Sequence, residues 1–464
     1  MHNTAVKTHQ DFLEASERKA FDKEHRKIIA HNMAAYERAA IHGKAQFTNL
    51  ELARKRAAEK KHSAIEHLED NLKTFEQQIT RKGATVIWAQ DKIEAREAVL
   101  EIFKQNFVTE VVKSKSMVTE EIGLSEFLLK NGIECLETDL GEYIVQISND
   151  KPYHIVTPAM HLSAADVANI FHKQFGLSEK ASPEEITKFV RETLRPKFMQ
   201  AQAGITGANF LVADNGAVSI TENEGNALYS VAFPKILIVI AGIEKLIPKT
   251  ADLSLFWPLL ASHGTGQKIT AYNTLLYGPR AEGETDGPEQ MYVILLDNGR
   301  TNLLAQIPQR RALSCIRCGA CLNVCPVYRN IGGHTYNTTY SGPIGAVSSP
   351  FLSGQFAEYV HLSYASSLCG ACTDSCPVAI DLHHQLLENR QMAVKNRLPA
   401  FSERMGIKAY KTTMSKSGRL QAVSPYVKNI VARVFVKKAW GPRRVLPKFV
   451  RSFRERFAEN DKGQ

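Results

Sequence analysis

The chain has 464 residues, of which 44% are hydrophobic and 23% are charged, the balance of an ordinary globular protein. This composition excludes a largely disordered or collagen-like chain, and the length predicts about three domains. The longest apolar run, residues 236–243, is far shorter than the ~20 residues of a membrane span. Residues 1–10 also lack the apolar core of a signal peptide, so we expect a cytoplasmic protein that is not integral to a membrane.

The net charge of +10 is concentrated at the C-terminal end of the chain. Residues 391–464 hold 18 basic and four acidic residues, a net of +14, which leaves −4 for residues 1–390. A basic segment of this kind attracts an acidic partner, an anionic membrane surface or nucleic acid. Because no nucleic-acid-binding motif accompanies it, no nucleic-acid partner is expected.

Residues 1–82 are predicted to form an N-terminal helical region, because they are rich in Ala, Glu, Lys and Arg and contain no proline. Near the end of this region, five apolar residues repeat at spacings of three and four: Ile65, Leu68, Leu72, Phe75 and Ile79. Such spacing places them on one face of a helix. The stripe predicts packing against the next domain, and a partner-binding coiled coil is the alternative.

In residues 83–305, short apolar runs alternate with helical stretches, which indicates βαβ units and a mostly parallel sheet. Strands are predicted at residues 85–89, 108–112, 132–136, 143–147, 210–213, 218–221, 236–241 and 292–296. Helices are predicted at residues 95–106 and 119–131. The predicted fold class is therefore α/β in this domain. An α-helical ferredoxin-like domain is expected at residues 306–390, and a basic helical region, interrupted by prolines, at 391–464.

Three polar stretches with glycines, residues 204–216, 221–226 and 262–267, suit ligand binding at the ends of parallel strands. Backbone amides in such turns bind carboxylates or phosphates. The candidate catalytic or binding residues are Thr206, Glu222, Asn223 and His263. The alternative is that these are tight turns and that His263 only makes a structural hydrogen bond. Neither a dinucleotide-binding glycine motif nor a Walker A motif is present.

Seven of the eight cysteines lie within residues 315–376, whereas Cys135 stands alone and is predicted to be a buried apolar residue. The first motif is C-x2-C-x2-C-x3-C-P, formed by Cys315, Cys318, Cys321, Cys325 and Pro326. In bacterial ferredoxins the first three thiolates of this run hold one [4Fe–4S] cluster and the fourth reaches the other. Zinc is disfavoured, since zinc sites prefer separate Cys-x-x-Cys pairs.

A shorter copy of the motif follows, formed by Cys369, Cys372, Cys376 and Pro377, with Ser366 at the place of Cys315. The crossed rule assigns the first cluster to Cys315, Cys318, Cys321 and Cys376. It assigns the second cluster to Cys325, Cys369 and Cys372, which leaves one iron without a cysteine. That cluster is therefore [3Fe–4S], or [4Fe–4S] with another ligand such as Ser366, or it has an iron that is open to a substrate or partner.

The two motifs, in the segments CIRCGACLNVCPVYR and SLCGACTDSCPV, resemble the lactate utilization protein B family. The upstream segments GITGANFLVADNGAVSITENEGN, GTGQKITAYNTLLYGPR and LLDNGR are also similar to this family. The resemblance extends over about residues 70–450. It implies a LUD domain, similar in fold to sugar-phosphate isomerases and CoA transferases, and two [4Fe–4S] clusters on the seven cysteines. It also implies an iron–sulfur component of an L-lactate-oxidising system that acts with companion proteins A and C.

The expected function is that of an electron-transfer subunit, non-catalytic or co-catalytic, that helps oxidise L-lactate to pyruvate as a carbon and energy source. Lactate releases two electrons and each cluster carries one, so a pair of clusters suits electron flow to an acceptor such as a quinone. One alternative is an iron–sulfur subunit acting on glycolate, glycerol 3-phosphate or a disulfide. Another is an isomerase- or transferase-like enzyme whose clusters are structural.

The basic region also contains two apolar patterns of helical spacing. The first is formed by Val427, Ile430, Val431 and Val434, near Lys428, Arg433, Lys437 and Trp440. The second is formed by Phe449, Phe453 and Phe457, near Arg451, Arg454 and Arg456. Both predict short amphipathic helices that pack on protein, or that contact the inner membrane face peripherally near a quinone-linked acceptor.

Overall fold

The N-terminal region forms four helices in the computed structural model, which describes residues 2–416, 418–419, 422–436, 445–451, 453 and 457. The helices are α1 (His2–Phe21), α2 (Lys23–Lys44), α3 (Leu50–Glu66) and α4 (Leu68–Thr80). All five residues of the apolar stripe are buried. Those on α4 pack in one core with Leu237 and Val239. The prediction that the stripe packs on the following part of the chain is therefore confirmed.

The larger of two sheets has six strands, and every neighbouring pair in it is parallel. Its strands are β1 (Thr85–Ala89), β2 (Glu110–Lys113), β3 (Glu134–Glu137), β4 (Ala203–Thr206), β7 (Ile236–Gly242) and β10 (Gln290–Leu296). Their order is β1-β10-β7-β4-β2-β3. Strand β7, at the middle of the sheet, is buried along its whole length, as its continuous apolar run predicts. The predicted α/β class is confirmed.

The other four strands form a second, separate sheet. It contains β5 (Phe210–Val212), β6 (Ala217–Glu222), β8 (Leu246–Ile247) and β9 (Tyr272–Leu276), in the order β8-β5-β6-β9. The prediction that residues 210–213 and 218–221 continue the parallel sheet was therefore wrong. A tight turn folds β6 back on β5 as an antiparallel partner, since Gly216 adopts φ +70° and Ala217 N–H donates to the Asn215 side chain.

Within the part of the chain that the structure describes up to residue 304, eight helices lie between the strands and a ninth, α13, follows β10. They are α5 (Lys92–Gln105), α6 (Met117–Glu121), α7 (Leu124–Lys130), α8 (Leu140–Ile147), α9 (Ala164–Phe175), α10 (Pro183–Gln200), α11 (Asn226–Ala232), α12 (Leu253–Gly264) and α13 (Arg300–Leu304). The predicted strand at 143–147 is wrong, because Asp139 caps the N-terminus of α8 instead. The predicted helix at 119–131 is split where Gly123 adopts φ +58°.

The cysteine segment is helical and packs with the N-terminal helices in one core, which includes Phe12, Met33 and Leu322. Its helices are α14 (Ala320–Val324), α15 (Tyr328–Ile331), α16 (Gly342–Leu352), α17 (Phe356–Tyr359), α18 (Ala371–Asp374) and α19 (Leu382–Lys395). Contacts divide the chain into two units, residues 1–392 and residues 393–464. Both iron–sulfur motifs and both sheets therefore belong to the first unit.

The second unit contains the short helices that the prolines predict, α20 (Phe401–Met414) and α21 (Pro425–Val431). Val427, Ile430 and Val431 are all more than 40% exposed on α21. Phe449 lies in an irregular stretch, so the predicted helical repeat through it was wrong. Lys437, Trp440, Arg454 and Arg456 lie outside the described residues. Within the described ranges, no helix is both long and apolar enough to cross a membrane.

Candidate iron–sulfur and ligand site

The fold brings the seven clustered cysteines together in two groups that mix the two sequence motifs. Burial raises the pKa of Cys321, and the neighbouring thiols of Cys315, Cys318 and Cys376 raise it further. Burial likewise raises the pKa of Cys372 to about 11, with contributions from Cys325 and Cys369. Cys376 therefore lies near the first three cysteines of the other motif, and Cys325 lies near the cysteines of the second.

Backbone amides point at several of these sulfur atoms. The Sγ atoms of Cys315, Cys325 and Cys376 accept N–H bonds at 3.4, 3.5 and 3.3 Å. The donors are Arg317, Tyr328 and Ile380. Such N–H···S bonds stabilise thiolates and tune the potential of iron–sulfur centres.

The buried thiols have the chemistry that iron requires. With a raised pKa they remain protonated at neutral pH unless a cation replaces their protons, and thiolates close together repel one another. Bound iron supplies that positive charge. The donor set is sulfur only for the first group of four cysteines, as a [4Fe–4S] cluster prefers. These residues therefore fit an iron–sulfur cluster.

Ser366 occupies the same local structure as Cys315. The Leu368 N–H donates to Ser366 Oγ at 3.1 Å, just as the Arg317 N–H donates to Cys315 Sγ at 3.4 Å. The two turns also share a pair of left-handed residues, Arg317 (φ +60°) and Gly319 (φ +79°) in one, Leu368 (φ +54°) and Gly370 (φ +82°) in the other. The hydroxyl of Ser366 therefore stands where the first motif has a thiol.

The two groups of cysteines differ in their distance from solvent. In the first group, Cys318, Cys321 and Cys376 are buried and Cys315 is half-buried. In the second group, Cys369 is exposed. The second group thus reaches the protein surface. The isolated Cys135 is buried in a different core, where burial raises its pKa to about 12, as expected for a residue that packs.

A cavity of about 440 Å³ lies between the first group of cysteines and the parallel sheet. Its lining includes residues within three positions of the carboxyl ends of β2, β4 and β7, among them Lys115, Gly207 and Lys245. The lining also includes Arg317 and Cys318 of the cysteine loop. The carboxyl ends of parallel strands are the usual ligand-binding edge of such sheets. Here that edge faces the cysteine loop.

The four residues predicted from the polar loops have different surroundings. Thr206 lines the cavity and is buried, and its hydroxyl accepts a bond from Ser114 at 2.8 Å. Glu222 also lines the cavity, but its carboxylate accepts the N–H groups of Ala227 and Leu228 at 2.7 Å each, which caps α11. It is thus engaged in holding that helix.

Asn223 lines the cavity at an exposed position, where its amide exchanges two 3.0 Å hydrogen bonds with Gln267. The polar stretch predicts a loop at His263, but His263 lies in α12. It is buried, its Nδ1 bonds the Leu259 carbonyl at 2.9 Å, and burial lowers its pKa to about 3. It is not among the residues that line the cavity. The structure therefore supports the hydrogen-bonding interpretation of this histidine.

The sequence reasoning missed a buried ionic network that joins the sheet to the cysteine loop. Arg300 is 1% exposed and donates to both carboxylate oxygens of Glu121 at 2.9 Å. It also bonds the carboxylate of Glu244, which lies 3.6 Å from Arg317. Tyr340 donates to Glu121 at 2.6 Å. Arg317 and Tyr340 belong to the cysteine segment, so the network fixes that segment to the sheet.

A second missed residue is Lys61 of α3, which is fully buried. Its ammonium donates to the carbonyls of Glu244 and Leu246 at 2.7 and 2.9 Å. Burial lowers its pKa to about 7, although Glu244 and Cys315 favour the charged form. A lysine in a basic, amphipathic helix gives no local indication of this position, because the carbonyls it meets are about 180 residues away in the chain.

Two protein families match successive parts of the chain. Residues 72–296 match the LUD domain, and residues 311–380 match the 4Fe-4S dicluster domain. The first contains both sheets, and the second contains all seven clustered cysteines. The chain is thus a LUD domain followed by a ferredoxin-type iron–sulfur domain.

Curated relatives match nearly the full length. Lactate utilization protein B of Bacillus cytotoxicus is 42% identical over 412 residues, 86% of each chain. Lactate utilization protein B of Bacillus cereus is 41% identical over 428 residues, 89% of this chain and 90% of that protein. Among solved structures, a DUF162 family protein from Deinococcus radiodurans matches at 15% identity and a TM-score of 0.28, over 49% of this chain and 98% of that one. That structural likeness is too weak to indicate a shared fold. Identity above 40% along most of the chain shows that this protein belongs to the lactate utilization protein B family.

Proposed function

We propose that this protein is the iron–sulfur electron-transfer component of a system that oxidises L-lactate to pyruvate. The relatives are named for lactate utilization, and the chain has a 4Fe-4S dicluster domain beside its LUD domain. Companion lactate utilization proteins A and C are the proposed partners, and the chain itself acts as a non-catalytic or co-catalytic subunit.

One observation carries the proposal: the first group of cysteines borders the cavity, and the second group reaches the protein surface. Cys318 lines the cavity, and Cys369 of the other group is exposed. Helices α14 and α18, which carry cysteines of the two motifs, are in contact. An electron donor bound at the cavity and an acceptor at the surface would thus be connected through adjacent metal-binding groups.

The proposed ligands follow the crossed arrangement. The first cluster is held by Cys315, Cys318, Cys321 and Cys376. The second is held by Cys325, Cys369 and Cys372, and we propose that it is a [4Fe–4S] cluster with Ser366 Oγ as its fourth ligand. The shared turn geometry of Ser366 and Cys315 supports this choice over a three-iron cluster or an open iron.

Positively charged side chains near Cys315 favour the reduced state of the first cluster. Bound clusters accept and release single electrons, and added negative charge is stabilised by nearby cations. Lys61, Lys245 and Arg317 each interact electrostatically with Cys315. We expect these three side chains to stabilise the reduced form of the first cluster, so that it can accept an electron from a donor at the cavity.

The test is anaerobic EPR of the cluster-loaded protein in complex with its companion proteins. Addition of L-lactate should produce the signal of reduced clusters and an equivalent amount of pyruvate. Glycolate, glycerol 3-phosphate and a dithiol are run in parallel, since the alternative oxidoreductases would respond to those donors. If lactate leaves the clusters oxidised while dithionite reduces them, the protein is not an electron carrier for lactate.

A further inference from the structure

Three side chains that can bind a metal meet at a place that the proposed electron path does not use. Asp150 follows α8, His161 precedes α9, and His334 lies in the cysteine segment between α15 and α16. One ligand atom of each residue lies within 4.8 Å of those of the other two. None of the three lines the cavity beside the cysteine loop. The fold therefore brings one carboxylate and two imidazoles together from three separate segments.

The spacing of these ligand atoms suits one small cation. Nε2 of His161 lies 2.9 Å from Oδ2 of Asp150, and Nε2 of His334 lies 3.8 Å from Oδ1 of the same carboxylate. The carbonyl oxygen of Lys151 lies 2.7 Å from His334 Nε2 and provides a fourth donor. Tetrahedral zinc bonds of about 2.0–2.1 Å place neighbouring ligand atoms about 3.3–3.4 Å apart. The observed separations lie on both sides of that value, so only small shifts of the side chains are needed.

The same atoms hydrogen-bond one another through protons that a metal ion can replace. An imidazole binds a metal through a nitrogen that carries no proton, so metal binding releases the proton from that nitrogen. Both Nε2 atoms face an oxygen, which is Asp150 Oδ2 for His161 and the Lys151 carbonyl for His334. A cation placed among them interacts favourably with every one of these atoms.

The buried ring of Tyr153 holds both imidazoles in position. It stacks on the His161 ring with centroids 5.0 Å apart and meets the His334 ring in a T-shaped contact, also at 5.0 Å. The Tyr153 hydroxyl bonds His25 Nε2 at 3.0 Å, and its carbonyl accepts the Tyr328 hydroxyl at 2.7 Å. Groups behind the ligands that fix their orientation are a general feature of metal sites. The two rings are thus oriented before an ion binds.

Charge and access also allow a divalent cation. Asp150 supplies a negative charge, and a nearby cation, Lys19, is itself paired with Asp22 at 3.5 Å. Asp150 and His334 line a second cavity of about 790 Å³. An ion can therefore reach the ligands from that cavity, whereas the His161 side chain is only 13% exposed and closes the inner side.

We propose that Asp150, His161 and His334 bind a Zn²⁺ ion, with the Lys151 carbonyl as the fourth ligand. Imidazole ligands favour zinc and related transition metals, whereas Mg²⁺ and Ca²⁺ take oxygen ligands. Four protein donors leave no open position, which is typical of a structural zinc site. The ion fixes the connection between α8 and α9 to the cysteine segment. The proposal is independent of the reaction that the clusters serve.

The test counts metal ions on the full-length, cluster-loaded protein after anaerobic equilibrium dialysis against Zn²⁺ with excess Mg²⁺. The wild-type protein should bind one Zn²⁺ per chain tightly while its iron content stays constant. Zinc X-ray absorption should show nitrogen and oxygen neighbours at about 2.0–2.1 Å and no sulfur at about 2.3 Å. His161→Gln and His334→Gln should each weaken zinc binding about 100-fold or more, since loss of a group behind a ligand alone costs about 10- to 100-fold.

His384→Gln is the matched control, because His384 belongs to a second and more exposed group with Asp381 and His383. It should bind zinc like the wild-type protein. Iron content shows that each variant is folded and loaded. Zinc should also raise the urea midpoint of the wild-type protein and leave that of His334→Gln unchanged.

Four results would overturn the proposal. They are a wild-type protein that binds no zinc, zinc with sulfur neighbours, zinc that excess Mg²⁺ displaces, and normal zinc binding by both His161→Gln and His334→Gln. Loss of zinc from His384→Gln alone would place the ion at the exposed group instead, which also contradicts the proposal.

Discussion

Arg300 is the residue whose replacement should most directly separate the sheet from the cysteine loop. It is 1% exposed and bonds two buried carboxylates, those of Glu121 and Glu244. Burial alone would raise the pKa of Glu244, but the charges of Arg300 and Arg317 outweigh it and hold the pKa at about 2. Replacing Arg300 by methionine keeps most of the side-chain volume and leaves both carboxylates without their main cation.

The expected loss follows from the burial of the groups left behind. Removing one partner of a buried ion pair costs about 3–5 kcal/mol, because the remaining charge is neither solvated nor paired. Glu121 and Glu244 have side chains that are 8% and 1% exposed, so solvent screens neither of them. A loss of that size lowers the ratio of folded to unfolded protein by roughly 10²- to 10⁴-fold.

The assay is pulse proteolysis in urea on the anaerobic, cluster-loaded protein. Arg280→Met is the matched control, since Arg280 pairs with Glu289 at 2.8 Å while both side chains are more than a third exposed. Such a surface pair contributes about 0–1 kcal/mol, so the control should hardly move the urea midpoint. Arg300→Met should lower it strongly and speed the loss of the first cluster.

The stability difference between the wild-type protein and Arg300→Met should depend on pH. Glu244 stabilises the wild-type fold above its ordinary pKa, and this stabilisation is lost as the pH falls toward the depressed value. In Arg300→Met the carboxylates can take up protons at a higher pH, so its deficit should narrow as the medium is acidified. If the urea midpoint of Arg300→Met at neutral pH equals that of Arg280→Met, the network does not hold the sheet and the cysteine loop together.

Two further predictions concern the second cluster and the basic tail. Ser366→Ala should lower the iron content from about eight to about seven per chain and give the EPR signal of a three-iron cluster, whereas Ser366→Cys should keep about eight. Unchanged iron and spectra in Ser366→Ala would show that Ser366 is only a neighbour. A chain ending at Lys395 should keep both clusters and lose salt-sensitive binding to anionic vesicles, because basic residues near such a surface contribute ~1 kcal/mol each. If the full chain does not bind such vesicles at low salt, the tail is a protein-docking element.

Local spacing explains which features could be predicted from the sequence. The stripe of α4 and the apolar run of β7 each reflect one periodicity within a short segment, and both are buried as expected. The cysteine motif is equally local. In contrast, residues 143–147 form too short a run to distinguish strand from helix, and the cap at Asp139 decides between them.

The charged part of the site could not be predicted, because its members are distant in the chain. Arg317 directly precedes Cys318, yet its ionic partner Glu244 follows β7 and its stacking partner is Tyr340. Lys61 comes from a helix whose exposed face is rich in similar lysines. Only the packing of α3 and the cysteine loop on the sheet brings these residues together.

The central claim, that electrons pass from the cavity through the first cluster to the second, is tested most directly with two cysteine variants in the complex with companion proteins. Cys376→Ser should remove the first cluster, and Cys325→Ser should remove the second. In both, dithionite should reduce the cluster that remains. L-Lactate should still reduce the first cluster in Cys325→Ser and should leave the second cluster oxidised in Cys376→Ser. Reduction of the second cluster by lactate in Cys376→Ser, or loss of each motif's own cluster instead of the crossed one, would contradict the account.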